Sequence, residues 1–411
     1  MSSSRLLLIM APVLAAVLLV GAAAVFVVWH FHGQAESKPP SNAAEEMRKG
    51  LEALKDQQYD IAIASFTNVI TQEPANAEAY NHRGFAFWKR KDLDRAKTDY
   101  DTAIRLNPNF AKAYSNRGML HADNDDYPEA IEDYGAAIRL DATDASAFNN
   151  RGRLYEEQKQ YKRALADFTE AIRLDPQNQE AYFHRGAINC RQDNYDAALT
   201  DLTEAIRLNP KNADAYNYRG ATYFVKKDLD RAIADYTSAI QEDPKSAYAF
   251  NSRGLAYRYK KEYDKAIADF TQVLRLRPKS GSALANRADA YLEKKAYAEA
   301  VADFTTFVES DTSNEHVLNS LAWCLATCPT EEVRDGKKAV KYATMLSDLT
   351  NGDIPNYEDT LAAAYAEAGQ FEEAVRIQQG VVEHPKFPKE FLERARKRLE
   401  LFKSGKAYRE E

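Results

Sequence analysis

The chain carries two hydrophobic patterns. From Leu6 to Trp29 it runs 24 residues without a charge, almost all of them apolar, which as a helix at 1.5 Å per residue crosses a hydrocarbon core of about 30 Å. This predicts an uncleaved membrane-spanning signal anchor over residues 1–32. A cleaved secretory signal is the alternative, with Arg5 as its charged start and Ala22-Ala23-Ala24 as a small-residue cleavage site. Cleavage there would leave Val25-Phe26-Val27-Val28-Trp29 as an apolar new terminus, and Trp29 suits an interfacial anchor. Arg5 and the terminal amine lie before the run, while the next cation is Lys38, so the positive-inside rule places the remainder of the chain outside the cytoplasm. Residues 33–42, with Pro39-Pro40, read as a short stiff linker.

Beyond the linker the apolar positions recur with helical spacing and a fixed long period. Arg-Gly stands at 83–84, 117–118, 151–152, 185–186, 219–220 and 253–254, with Arg287-Ala288 next, always 34 residues apart. With Gly84 counted as position 8, position 20 is alanine from Ala62 to Ala300, and position 24 is aromatic or leucine from Phe66 to Phe304. Position 32 is Pro74, Pro108, Pro176, Pro210, Pro244 and Pro278, replaced by Ala142 and Thr312 in two repeats. Small residues at 8 and 20 let two antiparallel helices approach closely, while the ring at 24 fills the space between neighbours. Proline ends the second helix, and an asparagine after it, such as Asn76 or Asn212, caps the next. Position 7 is arginine in seven repeats and position 23 is aspartate in the same seven, so an ion pair across each hairpin is expected.

This 34-residue pattern resembles the tetratricopeptide repeat (TPR) family, with eight regular repeats over residues 43–314. Arginine at position 7, usually apolar in that family, is a departure. After 314 the register slips: Ala339 follows Ala322 by 17 residues instead of 12, so Pro329 to Asp335 is read as an insertion. Two atypical repeats over 315–386 and a basic capping helix and tail over 387–411 complete the chain, with Arg394, Arg396, Lys397 and Arg398 expected on a polar outer face. This closing stretch looks like that of TPR proteins from environmental bacteria. The resemblance implies an all-α, right-handed superhelical solenoid of about ten helix-turn-helix repeats plus a capping helix. It also implies that the first helix of each repeat lines a concave, peptide-binding face through positions 2, 5, 6, 9, 12 and 13.

Charge and chemistry narrow the function. The 55 Lys and Arg against 62 Asp and Glu leave a net charge of −7, which opposes a nucleic-acid footprint. No nucleotide loop, zinc cluster, nucleophile elbow or kinase signature is found, so no catalysis, cofactor, metal or small-molecule substrate is expected. His82 and His184 are three repeats apart, on the order of 30 Å with helices about 10 Å apart, too far to share a metal. Cys324 and Cys328 read as core filling.

The implied groove carries a line of amides: Asn81, Asn149, Asn217 and Asn251 at position 5, and Asn116, Asn150 and Asn286 at position 6. These positions are expected to be exposed and outside the core; an amide both donates and accepts, so such a line can pair with the backbone of an extended peptide, the alternative being that asparagine is merely polar and solvated there. Phe85, Trp88, Phe183, Tyr218 and Tyr248, with Phe224 and Tyr259, are candidate anchors on the same face. Family members that clamp a C-terminal carboxylate use lysine at position 5 and asparagine at position 9; neither occurs at those positions in the regular repeats. The expectation is a membrane-anchored scaffold that binds a protein or extended peptide. Alternatives are a secreted or periplasmic TPR protein, or a noncatalytic subunit of a membrane enzyme or secretion complex.

Overall fold

The computed structural model describes residues 42–410. The expected anchor, and the linker apart from Asn42, lie outside them. Among the described residues there is no strand, and no helix is long and apolar enough to cross a membrane. The chain divides into two compact units at Asp175/Pro176, a boundary inside the run of regular repeats.

The first unit holds four hairpins. They are α1 (Asn42–Lys55) with α2 (Tyr59–Gln72), α3 (Ala77–Lys89) with α4 (Leu93–Leu106), α5 (Ala111–Asp123) with α6 (Tyr127–Leu140), and α7 (Ala145–Glu157) with α8 (Tyr161–Leu174). The second unit continues the pattern. It pairs α9 (Gln179–Arg191) with α10 (Tyr195–Leu208), α11 (Ala213–Val225) with α12 (Leu229–Glu242), α13 (Ala247–Tyr259) with α14 (Tyr263–Leu276), and α15 (Gly281–Glu293) with α16 (Tyr297–Ser310). Two atypical hairpins follow, α17 (Glu315–Thr327) with α18 (Gly336–Leu349) and α19 (Pro355–Glu367) with α20 (Phe371–Glu383), before the last helix α21 (Lys389–Lys403). The insertion between α17 and α18 is a short 3-10 turn, Glu331–Val333, and Asp335 then caps α18 by accepting from the Lys338 N–H.

Local chemistry sets these boundaries. Asn76, Asn212 and Ser246 accept hydrogen bonds from the N–H groups of Ala79, Ala215 and Ala249, satisfying donors that a helix start leaves open. Within each hairpin of the regular repeats the turn passes through one left-handed residue, from Gln57 (φ 58°) to Lys295 (φ 63°), none of them glycine. In the α13–α14 turn Lys261 donates to the Arg258 carbonyl and Glu262 to the Tyr257 carbonyl, so the helix-end carbonyls are paired despite the backbone cost.

Packing follows the small-large code. The position-20 alanines are fully buried, and Phe66, Tyr100, Phe168, Phe270 and Phe304 are among the largest side chains without exposure. Each ring lies against the position-8 residue of its own hairpin: a Cβ on Gly254 would come within 2.7 Å of Phe270. Glycine there is a requirement of close approach.

The expected ion pair is present in all seven hairpins. Arg83, Arg117, Arg151, Arg185, Arg219, Arg253 and Arg287 each meet their aspartate at 2.7–2.8 Å. The pairs are two-pronged, with Nε and Nη2 of Arg253, for example, donating to Oδ2 and Oδ1 of Asp269, both at 2.8 Å. A third contact was not anticipated. In several hairpins the remaining nitrogen, Nη1, reaches back to the second helix of the preceding hairpin, as in Arg83 to Thr67 at 3.1 Å, Arg253 to Thr237 at 3.1 Å and Arg117 to Asp101 at 2.6 Å. One guanidinium therefore ties three helices together.

Removing one partner leaves a charge stranded in a buried setting. Asp269→Asn should lower the stability of the second unit by about 3 kcal/mol. Asp230→Asn, which breaks only the exposed Lys260 pair, should cost far less, because water screens that pair. Urea denaturation of the two variants checks this; equal losses would show that the three-helix clasp adds nothing.

Candidate functional site

Within each unit the first helices of neighbouring hairpins run side by side, and their facing side chains meet with an offset of one residue. A side chain at position 5 touches position 6 of the next hairpin, and one at 12 touches 13. Asn116 Nδ2 donates to Asn81 Oδ1 at 2.9 Å, Asn286 Nδ2 to Asn251 Oδ1 at 3.1 Å, and Thr360 Oγ1 to Asn319 Oδ1 at 2.8 Å. The amide line is thus largely a seam within the scaffold. Asn81, Asn116, Asn149 and Asn217 are buried, Asn81 being 1% exposed, while Asn150, Asn251 and Asn286 are half-buried.

This corrects the expectation that these asparagines stand outside the core. Positions 5 and 6 lie where neighbouring helices touch, and two of the amide pairs, Asn81 with Asn116 and Asn251 with Asn286, bond each other. The Asn217 amide oxygen is buried with no hydrogen-bond partner.

Aromatic side chains obey the same offset. Phe183 and Tyr218 meet edge to face at 5.8 Å, and Phe224 and Tyr259 at 5.3 Å. Arg191 Nη2 donates to the Tyr218 hydroxyl at 2.8 Å. In the first unit Trp88 Nε1 donates to Asp123 Oδ2 at 2.8 Å, Phe85 lies 5.5 Å from the Trp88 ring, and Lys89 Nζ sits 4.2 Å from its centre. Phe85, Trp88, Phe183 and Tyr218 are half-buried. Tyr248 and Tyr259 differ: they are 57% and 69% exposed, and Val225, next to Phe224, is 52% exposed. Large apolar side chains are therefore exposed at α11 and α13 of the second unit.

Charges beside this apolar stretch are already matched. Arg258 bonds Asp289 at 3.0 Å and Glu293 at 3.1 Å, and His316 Nε2 meets Asp289 at 3.2 Å. The Asp289 hydrogen bond raises the His316 pKa above its ordinary 6.5, against the opposing effects of burial and Arg258. His82 behaves oppositely: stacked on Phe66 with centroids 5.4 Å apart, it is lowered by burial. Burial pushes the Cys324 thiol up to about 12, which makes it an unreactive core group. Among the described residues no group of three or more metal-ligating side chains gathers.

The tetratricopeptide repeat pattern matches residues 47–109, 86–147, 116–179, 149–201 and 190–247, and a second version of it matches 247–280. The chain belongs to the tetratricopeptide repeat family. No curated protein matches it. Among solved structures it is similar to YrrB, a TPR protein with an unusual peptide-binding site, at 26% identity over 45% of this chain and 95% of that one (TM-score 0.42). It is similar to the MamA protein at 29% identity over 41% of this chain and 92% of that one (TM-score 0.39). A tetratricopeptide repeat protein from Parabacteroides merdae shares 20% identity over 61% of this chain and 98% of its own (TM-score 0.42).

The TPR seam predicts its own test. Asn81→Ala removes the acceptor of the buried Asn116 amide and should cost about 1–3 kcal/mol of stability in the first unit. Asn150→Ala, at a half-buried position, should cost less. Thermal melts of the two variants decide between a seam and a merely solvated line.

Proposed function

We propose that this TPR chain is a noncatalytic scaffold that holds an extended peptide against the first helices of its second unit, anchored in a membrane by Leu6–Trp29 with the repeats outside the cytoplasm. The observation that carries the peptide reading is the exposure of Tyr248, Tyr259 and Val225 on α11 and α13. Aromatic anchors of this kind supply contact area at low entropic cost and dominate binding energy where they occur. The nearby charges are spent on one another, and Arg191 is held by Tyr218. Affinity then comes chiefly from apolar contact, which suits a partner of mixed or neutral character rather than a polyanion. The anchor reading rests on the length of the apolar run and on the positions of Arg5 and Lys38.

Peptides selected from a random display library on the full chain in nonionic detergent supply the probe. Tyr248→Ala/Tyr259→Ala should weaken binding of the selected peptides about tenfold or more, with an unchanged melting temperature because both rings are exposed. Unchanged binding would remove this face from consideration. For the anchor, carbonate extraction of membranes should leave the full-length chain in the pellet. A soluble product beginning near Val25 would replace it with the secreted reading.

A further inference from the structure

The segment after α21 folds back over the two atypical hairpins. The last helix ends at Lys403, the backbone reverses through Gly405 (φ +69°), and Lys406 donates to the Leu401 carbonyl. From there residues 406–410 run without regular structure across the first helices of the two atypical hairpins. The Tyr408 ring lies 6.0 Å from the Trp323 ring, and the Arg398 guanidinium stands 5.4 Å from the centre of each. Arg398 is held in place by Asp359, with contacts of 3.0 and 2.5 Å. Arg409 Nη1 meets Glu367 Oε2 at 2.7 Å. The Glu410 N–H donates to the Thr327 carbonyl at 2.9 Å, and its carboxylate accepts from Trp323 Nε1 at 2.8 Å.

These contacts have the character of recognition. Trp323 and Thr327 occupy positions 9 and 13 of α17, and Glu367 occupies position 13 of α19, all positions that TPR first helices turn toward a groove. Thr327 ends its helix, so its carbonyl is among those a helix leaves without an internal partner, and the tail supplies the missing N–H. The tail lies at the edge of the core: Ala407 and Tyr408 are half-buried against it, and Arg409 and Glu410 are exposed. A cavity of about 370 Å³ beside the tail runs from Glu410 and Trp323 past Asn319 toward Lys295 and Tyr297.

We infer that the α17–α19 face is a second peptide-binding site, filled in cis by Tyr408-Arg409-Glu410, and that it accepts in trans an extended segment of the same chemistry, an aromatic residue followed by a cation and a carboxylate. The ring lies tilted against Trp323 beside Arg398, the cation pairs with Glu367, and the carboxylate takes the indole N–H. A tethered tail competes at an effective concentration near the millimolar range, so an incoming segment must outbid it or the tail must first be released. This site is separate from the Tyr248–Tyr259 face and does not depend on it.

The probe is a fluorescein-labelled peptide of residues 406–411, followed by anisotropy against the full chain in nonionic detergent. Tyr408→Ala/Glu410→Gln should bind it at least about tenfold more tightly than the unaltered chain, because the internal competitor is weakened. A chain ending at Gly405 should do the same, and adding Trp323→Ala to that shortened chain should abolish the gain. Tyr259→Ala should leave probe binding unchanged, which separates failure here from failure of the other face. Equal probe binding by the opened and unaltered chains would overturn the inference. So would loss of the cooperative melt in both opened forms, which would make the tail part of the fold rather than its ligand.

Discussion

A guanidinium is planar and forked, so it can present two parallel donors to one carboxylate and still offer a third nitrogen in another direction. Position 7 uses all of this. Two nitrogens bind the aspartate of the same hairpin, and in several hairpins the third binds the second helix of the hairpin before it. The first contact sets the angle within a hairpin, and the second sets the distance to the next. Lysine, a compact point charge, could not meet both demands. Because the aspartates are nearly fully buried, each clasp is a place where the scaffold tolerates little change, and the groove positions inherit their spacing from it.

The one-residue offset between neighbouring first helices is the second constraint. It brings position 5 against 6 and position 12 against 13, and whatever occupies those positions must be complementary. Two amides satisfy it with a hydrogen bond, as do Asn81 and Asn116; two rings satisfy it edge to face, as do Phe224 and Tyr259; opposite charges satisfy it in Arg258 and Glu293. The same stretch of helix thus closes through such pairs, while Tyr259 stays 69% exposed beyond its contact with Phe224.

The closing hairpins show the same economy. Arg398, on the last helix, is buried and paired with Asp359, not displayed with Arg394, Arg396 and Lys397 on the outer face as its sequence neighbourhood implied. A basic run on a helix wraps around it, and the fourth residue of this one turns inward. There its charge answers a carboxylate that Gln378 also contacts, and its flat face lies near both Trp323 and Tyr408. One side chain so links the end cap, the penultimate hairpin and the tail.

By itself the sequence determined the repeat: a 34-residue period, small residues at 8 and 20, a ring at 24 and proline at 32 leave two antiparallel helices as the arrangement that buries each apolar stripe. It also determined the Arg-Asp pairs, because positions 7 and 23 stand at the same level either side of a turn. These are contacts within one hairpin, set by helix geometry and a short connection. What only the tertiary structure decided lies between hairpins. The third arm of the clasp, the closure of Asn81 onto Asn116 and the inward turn of Arg398 depend on how one hairpin is offset and rotated against the next. The return of residues 406–410 to Trp323 depends on it further, since it joins positions 87 residues apart that no local periodicity relates. An asparagine at a groove position reads the same in sequence whether it faces water or its neighbour, because its polarity suits both; only the distance between adjacent helices separates the two.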